Sequence, residues 1–144
     1  MIKTFSKINP DKLLHIVYNL NEVEDRIDLI SDENFLQCSV VRKQKGAKFR
    51  EHKHIYKPIE YKEQIAQESW LVFKGKIKVY HYDIDDSLIS THILSEGDIN
   101  ITLFGGHTFE VIEDNTIVCE QKNGPYFGQT LDKNFFKTEN EKHE

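Results

Sequence analysis

The stretch GKIKVYHYDIDDSLISTHILSEGD, residues 75–98, decides the fold class. In its first half Ile77, Val79 and His81 alternate with Lys76, Lys78 and Tyr80. In its second half Ile89, Thr91 and Ile93 alternate with Ser90 and His92. A period of two places successive side chains on opposite faces, which is strand geometry and not helix geometry. Between the halves, DIDDS at Asp83 to Ser87 offers turn-forming residues, and Glu96-Gly97 offers a second turn.

The same period continues on both sides. Downstream lie HTFEVIED and NTIVCEQK; upstream lies FLQCSVVRK, where Leu36, Cys38 and Val40 face away from Gln37 and Ser39. Turn signals at Lys45-Gly46, Gly105-Gly106, Glu113 to Asn115 and Asn123-Gly124-Pro125 separate these runs. Short alternating strands at regular spacing predict an all-β antiparallel sandwich or barrel. The amino-terminal end reads differently. Asn9 suits an N-cap, Pro10 the first helical position, and Leu13, Leu14, Val17 and Tyr18 form a stripe, so a short N-terminal helix is expected. A polar connection, NEVEDRIDLISDEN, follows, with room for a short helical turn. The expected division is residues 1–34 as a helical or extended segment packing on the body, 35–136 as the β domain, and 137–144 as a flexible polar tail.

A chain of 144 residues is long enough for one sizeable core. With 38% hydrophobic and 30% charged residues it contains no run near the roughly 20 apolar residues of a membrane span. The opening residues show no apolar core followed by a small-residue cleavage site, so a cytoplasmic protein that is not bound to membrane is expected. A net charge of −5, with bases interspersed among acids, argues against nucleic acid as a partner. Cys38 and Cys119 form no CxxC and read as two reduced, buried thiols.

Chemistry concentrates in three places. His52 and His54 are two residues apart, a spacing that on a strand puts both imidazoles on one face within reach of one ion. The same pair also fits an exposed strand on which histidines merely alternate with Glu51 and Lys53. Gly46 precedes His52 by six residues, Glu68 precedes Gly75 by seven, and EGDINITLFGGHTFEV delivers His107 directly after a double glycine.

This order of elements, with His52-Lys53-His54, Gln67-Glu68, Gly105 to Asp114 and Gly124-Pro125-Tyr126, resembles the small single-domain members of the cupin superfamily over about residues 35–136. The resemblance implies a jelly-roll barrel (a double-stranded β-helix) with one divalent metal in its mouth. By position it implies His52, His54, Glu68 and His107 as ligands. Three imidazoles and a carboxylate suit Fe, Mn, Ni, Co or Zn and leave coordination positions open. Thirteen residues separate His54 from Glu68, more than the superfamily pattern has, so Glu60 and Glu63 in that insertion are alternative fourth ligands. Leu103 and Val111 stand where the pattern has proline and asparagine. His81 and His92 read as ordinary barrel or surface residues, His15 as a residue of the N-terminal helix, and His143 as part of the tail.

Beside the metal, Val118, Glu120 and Lys122 share a strand face, and Tyr126 follows at the end of the sheet. If that face is interior, Glu120, Lys122 and Tyr126 are the candidate proton-handling groups. The insertion YKPIEYKEQIAQ, with Tyr61, is long enough to be a lid or binding loop bordering the mouth, and equally fits a solvated excursion or a segment that pairs with another subunit. The resemblance implies a metal-dependent enzyme acting on a small polar molecule, a carbohydrate or sugar nucleotide, by isomerase, epimerase or lyase chemistry. An Fe(II)-dependent dioxygenase and a non-catalytic metal- or ligand-binding module are the alternatives. A homodimer pairing through Phe35 to Arg42 is expected, because jelly-roll sheets leave edges to be covered.

Overall fold

The computed structural model describes residues 1–54, 56 and 64–136. Ten strands run through them: β1 (Ile2–Phe5), β2 (Leu13–Asn19), β3 (Arg26–Asp28), β4 (Ser39–Val41), β5 (Glu68–Lys74), β6 (Lys76–Tyr82), β7 (Leu88–Ser95), β8 (Asp98–Thr102), β9 (His107–Val111) and β10 (Ile117–Lys122). A 3₁₀ turn at Leu20–Glu22 and one turn of helix, α1 (Gln129–Asp132), complete the described elements. All strand pairs are antiparallel. They form a five-stranded sheet β1-β2-β8-β5-β10, a three-stranded sheet β7-β6-β9, and a separate β3-β4 ribbon. Among the described residues no sheet closes into a barrel.

Alternation along the strands builds two cores. Ile16, Tyr18, Ile99 and Ile101 project from one face of the large sheet onto Leu29, Ile30 and the ribbon residues Ile27 and Val40. From the opposite face Val17, Trp70 and Val72 meet Ile77, Val79 and Leu94 of the small sheet. The molecule is thus three layers deep, with the large sheet in the middle. Removing each of these aliphatic side chains from water is worth about 1.5–3 kcal/mol, so the layers are held mainly by this burial.

The expected N-terminal helix is a strand. Leu13–Asn19 lies between β1 and β8 and is buried on both faces. A continuous apolar run such as LLHIVY satisfies a helical stripe and a doubly covered strand equally, and the β-branched Ile16 and Val17 with Tyr18 favour the strand. Asn9 caps no helix. The Ser6 hydroxyl accepts from the amides of Ile8 and Asn9 and donates to Asp83, which clamps the β1-β2 connection onto the far end of β6. A boundary at residue 34 would therefore cut through the main sheet. In FLQCSVVRK only Ser39–Val41 is a strand, paired with β3 in a connection that shows little periodicity of its own. Cys38 is half-buried, but Cys119 is exposed, so only one of the two thiols is packed away. Residues 137–144, including His143, lie outside the described residues.

Candidate functional site

Register places chemistry in a row across the inner face of the large sheet. His15 of β2 stands opposite Thr102 of β8, Thr102 opposite Glu68 of β5, and Glu68 opposite Lys122 of β10. The next row inward is Val17, Asn100, Trp70 and Glu120. From the small sheet, Ser90, His81 and His107 form the facing row. One end of the interior is therefore polar, while the end around Val72, Ile77 and Leu94 is hydrocarbon.

The GGH turn explains how His107 reaches this row. Gly105 has φ +78°, and a Cβ there would lie 2.4 Å from the Tyr82 carbonyl oxygen, so only glycine fits. The Tyr82 amide donates to the Gly106 carbonyl at 2.8 Å, which pins the turn to the end of β6 and starts β9 at His107. Across the interior, Glu68 is only 4% exposed, and its Oε1 lies 3.4 Å from His107 Nε2. That is an ion-pair distance, too long for a well-formed hydrogen bond. Glu68 Oε1 and His107 Nδ1 are both buried without a hydrogen-bond partner among the described residues. Burial pushes the Glu68 carboxyl up, but His107, Lys133 and Lys122 together outweigh it, and the group is held below the usual carboxylate range.

Trp70 supports the pair. Its ring stands edge-on to His107, with centroids 4.8 Å apart, and its Nε1–H donates to Glu120 Oε2 at 3.3 Å. Glu120 lies on the inner face, as its strand position requires, yet it is exposed at the open side of β10. Lys122 is half-buried, and its ammonium donates to Asp132 at 2.9 Å while lying 4.1 Å from the Tyr126 ring centre. Tyr126 itself is 55% exposed.

A second buried pair sits beside the first. His15 and His81 stack at 4.1 Å with planes 3° apart. His15 Nε2–H donates to the Tyr82 carbonyl, and its Nδ1 accepts from the Thr102 hydroxyl. His81 Nε2–H donates to Asn100 Oδ1, and its Nδ1 accepts from Ser90. Burial holds both rings neutral, lowering the pKa of His15 to about 3, with His81 adding to the effect, and that of His81 to about 4.

The structure thus brings Glu68 and His107 together and sets Lys122 next to them. It does not bring His52 and His54 to that point. Residues 51–54 form no strand, so the same-face argument from strand geometry does not apply, although the two exposed rings lie 5.4 Å apart. Among the described residues no group of three or more histidine, cysteine, aspartate or glutamate side chains is arranged to hold a metal ion. Glu60, Tyr61 and Glu63 lie outside the described residues. Two cavities, of about 230 Å³ beside His92 and about 690 Å³ between Lys12 and Phe104, are lined by neither Glu68 nor His107. Sequence reasoning missed Trp70, Asp132 and the His15–His81 stack. The inward alternation of His81 with Ile77 and Val79 was the one available signal.

No helix among the described residues is long and apolar enough to cross a membrane. Compared with known proteins, the chain is matched by no family model, no curated protein and no solved structure.

Proposed function

We propose that the polar end of the sandwich holds one divalent metal and that the protein is a metal-dependent enzyme of cupin type acting on a small polar molecule, a carbohydrate or sugar nucleotide. The observation that carries this reading is the Glu68–His107 pair. Two donors bound to one ion at about 2.1 Å each stand roughly 3–3.5 Å apart, and 3.4 Å separates these two. Glu68 Oε1, one of these two donors, has no hydrogen-bond partner among the described residues, and neither has His107 Nδ1 on the other side of the ring, an arrangement that costs free energy unless the site serves a ligand.

Glu68 and His107 are the fixed half of the set, both held at strand starts. His52 and His54 are the half that joins. β9 is hydrogen-bonded on one side only, to β6, and its second edge is free among the described residues. The segment around residues 50–54 docking along that edge would carry its histidines toward His107. A bound divalent ion would supply Lewis acidity to an oxygen of the substrate. Trp70 keeps water from one side of His107, and Glu120 orients the indole. Lys122 and Tyr126, at the rim beyond Glu68, are the groups placed to meet a polar substrate. The expected homodimer belongs to the same proposal, through β4, which among the described residues has a partner on one side only. Light scattering at the monomer mass would exclude it.

Elemental analysis of the purified protein tests the reading. One ion per chain is expected, lost in His107→Ala and weakened in His54→Ala. Full occupancy in both variants would overturn the site. Turnover of sugar nucleotides without oxygen would separate isomerase or lyase chemistry from a dioxygenase.

A further inference from the structure

Lys122 sits in an anomalous position. It is the direct cross-strand neighbour of Glu68, on the same face, in an antiparallel pair. At such positions side chains approach to about 5 Å between Cβ atoms, and opposite charges attract. Glu68 Oε1 is buried and lacks a hydrogen-bond partner among the described residues, so the ammonium of Lys122 is its natural mate. Instead Lys122 turns away, to Asp132 at 2.9 Å and the face of Tyr126 at 4.1 Å.

Both of those partners belong to the segment after β10. Among the described residues that segment is anchored at few points. Asn123 exchanges hydrogen bonds with Gln67, Lys122 binds Asp132, and the Phe136 ring seats against Gly106, where a Cβ would come within 2.2 Å of it, and against Tyr82 at 4.9 Å. Phe127, Leu131 and Phe135 are 73, 80 and 66% exposed, so the strap buries little apolar surface of its own. A segment held this lightly opens at low free-energy cost.

The geometry points to a switch in which Asp132 holds Lys122 off Glu68, so that docking of the 123–136 strap frees the Glu68 carboxylate for a ligand and its release lets Lys122 close the site by pairing with Glu68. Asp132 is then a positioning residue that touches no ligand. The consequence for metal rests on the reading proposed above; the exchange of partners by Lys122 does not. With the strap docked, Glu68 offers a metal an oxygen that has no hydrogen-bond partner among the described residues. With the strap released, a metal must displace an ion pair. Metal and strap therefore favour each other, and the coupling is reciprocal.

Two measurements test this. In metal-free Asp132→Asn protein, solved by crystallography or by side-chain NMR, Lys122 should be found on Glu68; Lys122 still lying against residue 132 and Tyr126 would overturn the switch. In a calorimetric titration with cobalt(II) alone, Asp132→Asn should bind about tenfold more weakly than the native chain, within the coupling range of contacting charged groups. The double variant with Lys122→Gln should recover the native affinity, since no competitor for Glu68 remains. If Asp132 merely staples the strap, the double variant binds no better than Asp132→Asn, and the switch is refuted. A native chain that binds no cobalt(II) would remove the metal reading, while the metal-free structure would still decide the switch.

Discussion

Two buried polar pairs lie side by side at the same end of this interior and have opposite character. In the His15–His81 pair each of the four ring nitrogens has a partner, and the rings stack. In the Glu68–His107 pair the contact is long and two atoms have no partner among the described residues. His107 is less buried than the other three, with 21% of its side chain exposed, but the sharper difference is bonding capacity left unused. Histidines that spend every donor and acceptor on the scaffold are part of the scaffold. A carboxylate and an imidazole with unused capacity, delivered by a strand start and a glycine turn, are where a ligand would be accommodated.

The largest expected effect concerns the satisfied pair and comes with acid. Both histidines are neutral in the folded state down to about pH 4 and about pH 3. In the unfolded chain they take up protons near the ordinary value of about 6.5. Below that pH the unfolded state binds more protons, so stability is fully present above about pH 6.5 and is lost as pH falls, by about 1.4 kcal/mol per unit for each group. By pH 4 the two together remove up to about 6 kcal/mol, comparable with the whole stability of many domains. Glu68 extends the loss to lower pH. Its carboxyl is held below the usual range, so its contribution is present above its unfolded value and disappears as pH falls through the folded one. Urea unfolding at pH 7 and at pH 4.5 checks this. Equal stability at the two values would mean that the stacked pair is not held neutral.

A smaller effect sharpens the contrast between the pairs. His81→Leu keeps much of the volume but strands Asn100 Oδ1 and the Ser90 hydroxyl, and should cost about 2–3 kcal/mol. Glu68→Gln keeps shape and a hydrogen-bonding oxygen while removing a buried charge whose partner is 3.4 Å away. It should cost about 1 kcal/mol or less in metal-free protein. Thermal unfolding of the two variants ranks them. If Glu68→Gln proved the more damaging, Glu68 would belong to the scaffold and the comparison would collapse.

The sequence disclosed these pairs unequally, for physical reasons. His107 was visible because local chemistry marks it, a histidine after two glycines whose turn admits no side chain at Gly105. Glu68 was visible only through its offset from Gly75 and the family resemblance, with Glu60 and Glu63 as alternatives. The hairpin of β6 and β7 was equally legible, since alternation and the Asp-rich turn agree. His15 was hidden because its partners, Thr102 and Tyr82, lie 87 and 67 residues away, and because a strand covered on both faces has no alternation to betray it. The strap was hidden for another reason. Residues 123–136 have no periodicity, and their meaning comes from where Lys122 and Gly106 happen to receive them.

The smallest effect is expected at Glu120. Its place on the inner face invites a role in proton transfer, but two observations point elsewhere. The carboxylate is exposed at the open side of β10, so nothing keeps water from it. Its Oε2 is already the acceptor for the Trp70 indole, whose ring is the one that leans on His107. An acceptor is all the indole requires, and the amide oxygen of glutamine supplies one. Glu120→Gln should therefore shift stability by no more than about 0.5 kcal/mol, as for surface substitutions generally, and leave any metal bound. It should also leave turnover within about threefold, whereas removal of a general acid or base costs on the order of a hundredfold or more. Glu120→Leu removes the acceptor as well, and should disturb the indole and, through it, the His107 ring, which a change in tryptophan fluorescence would report. A hundredfold loss in Glu120→Gln with unchanged fluorescence would return Glu120 to the chemistry and place a proton-transfer group outside the buried pair.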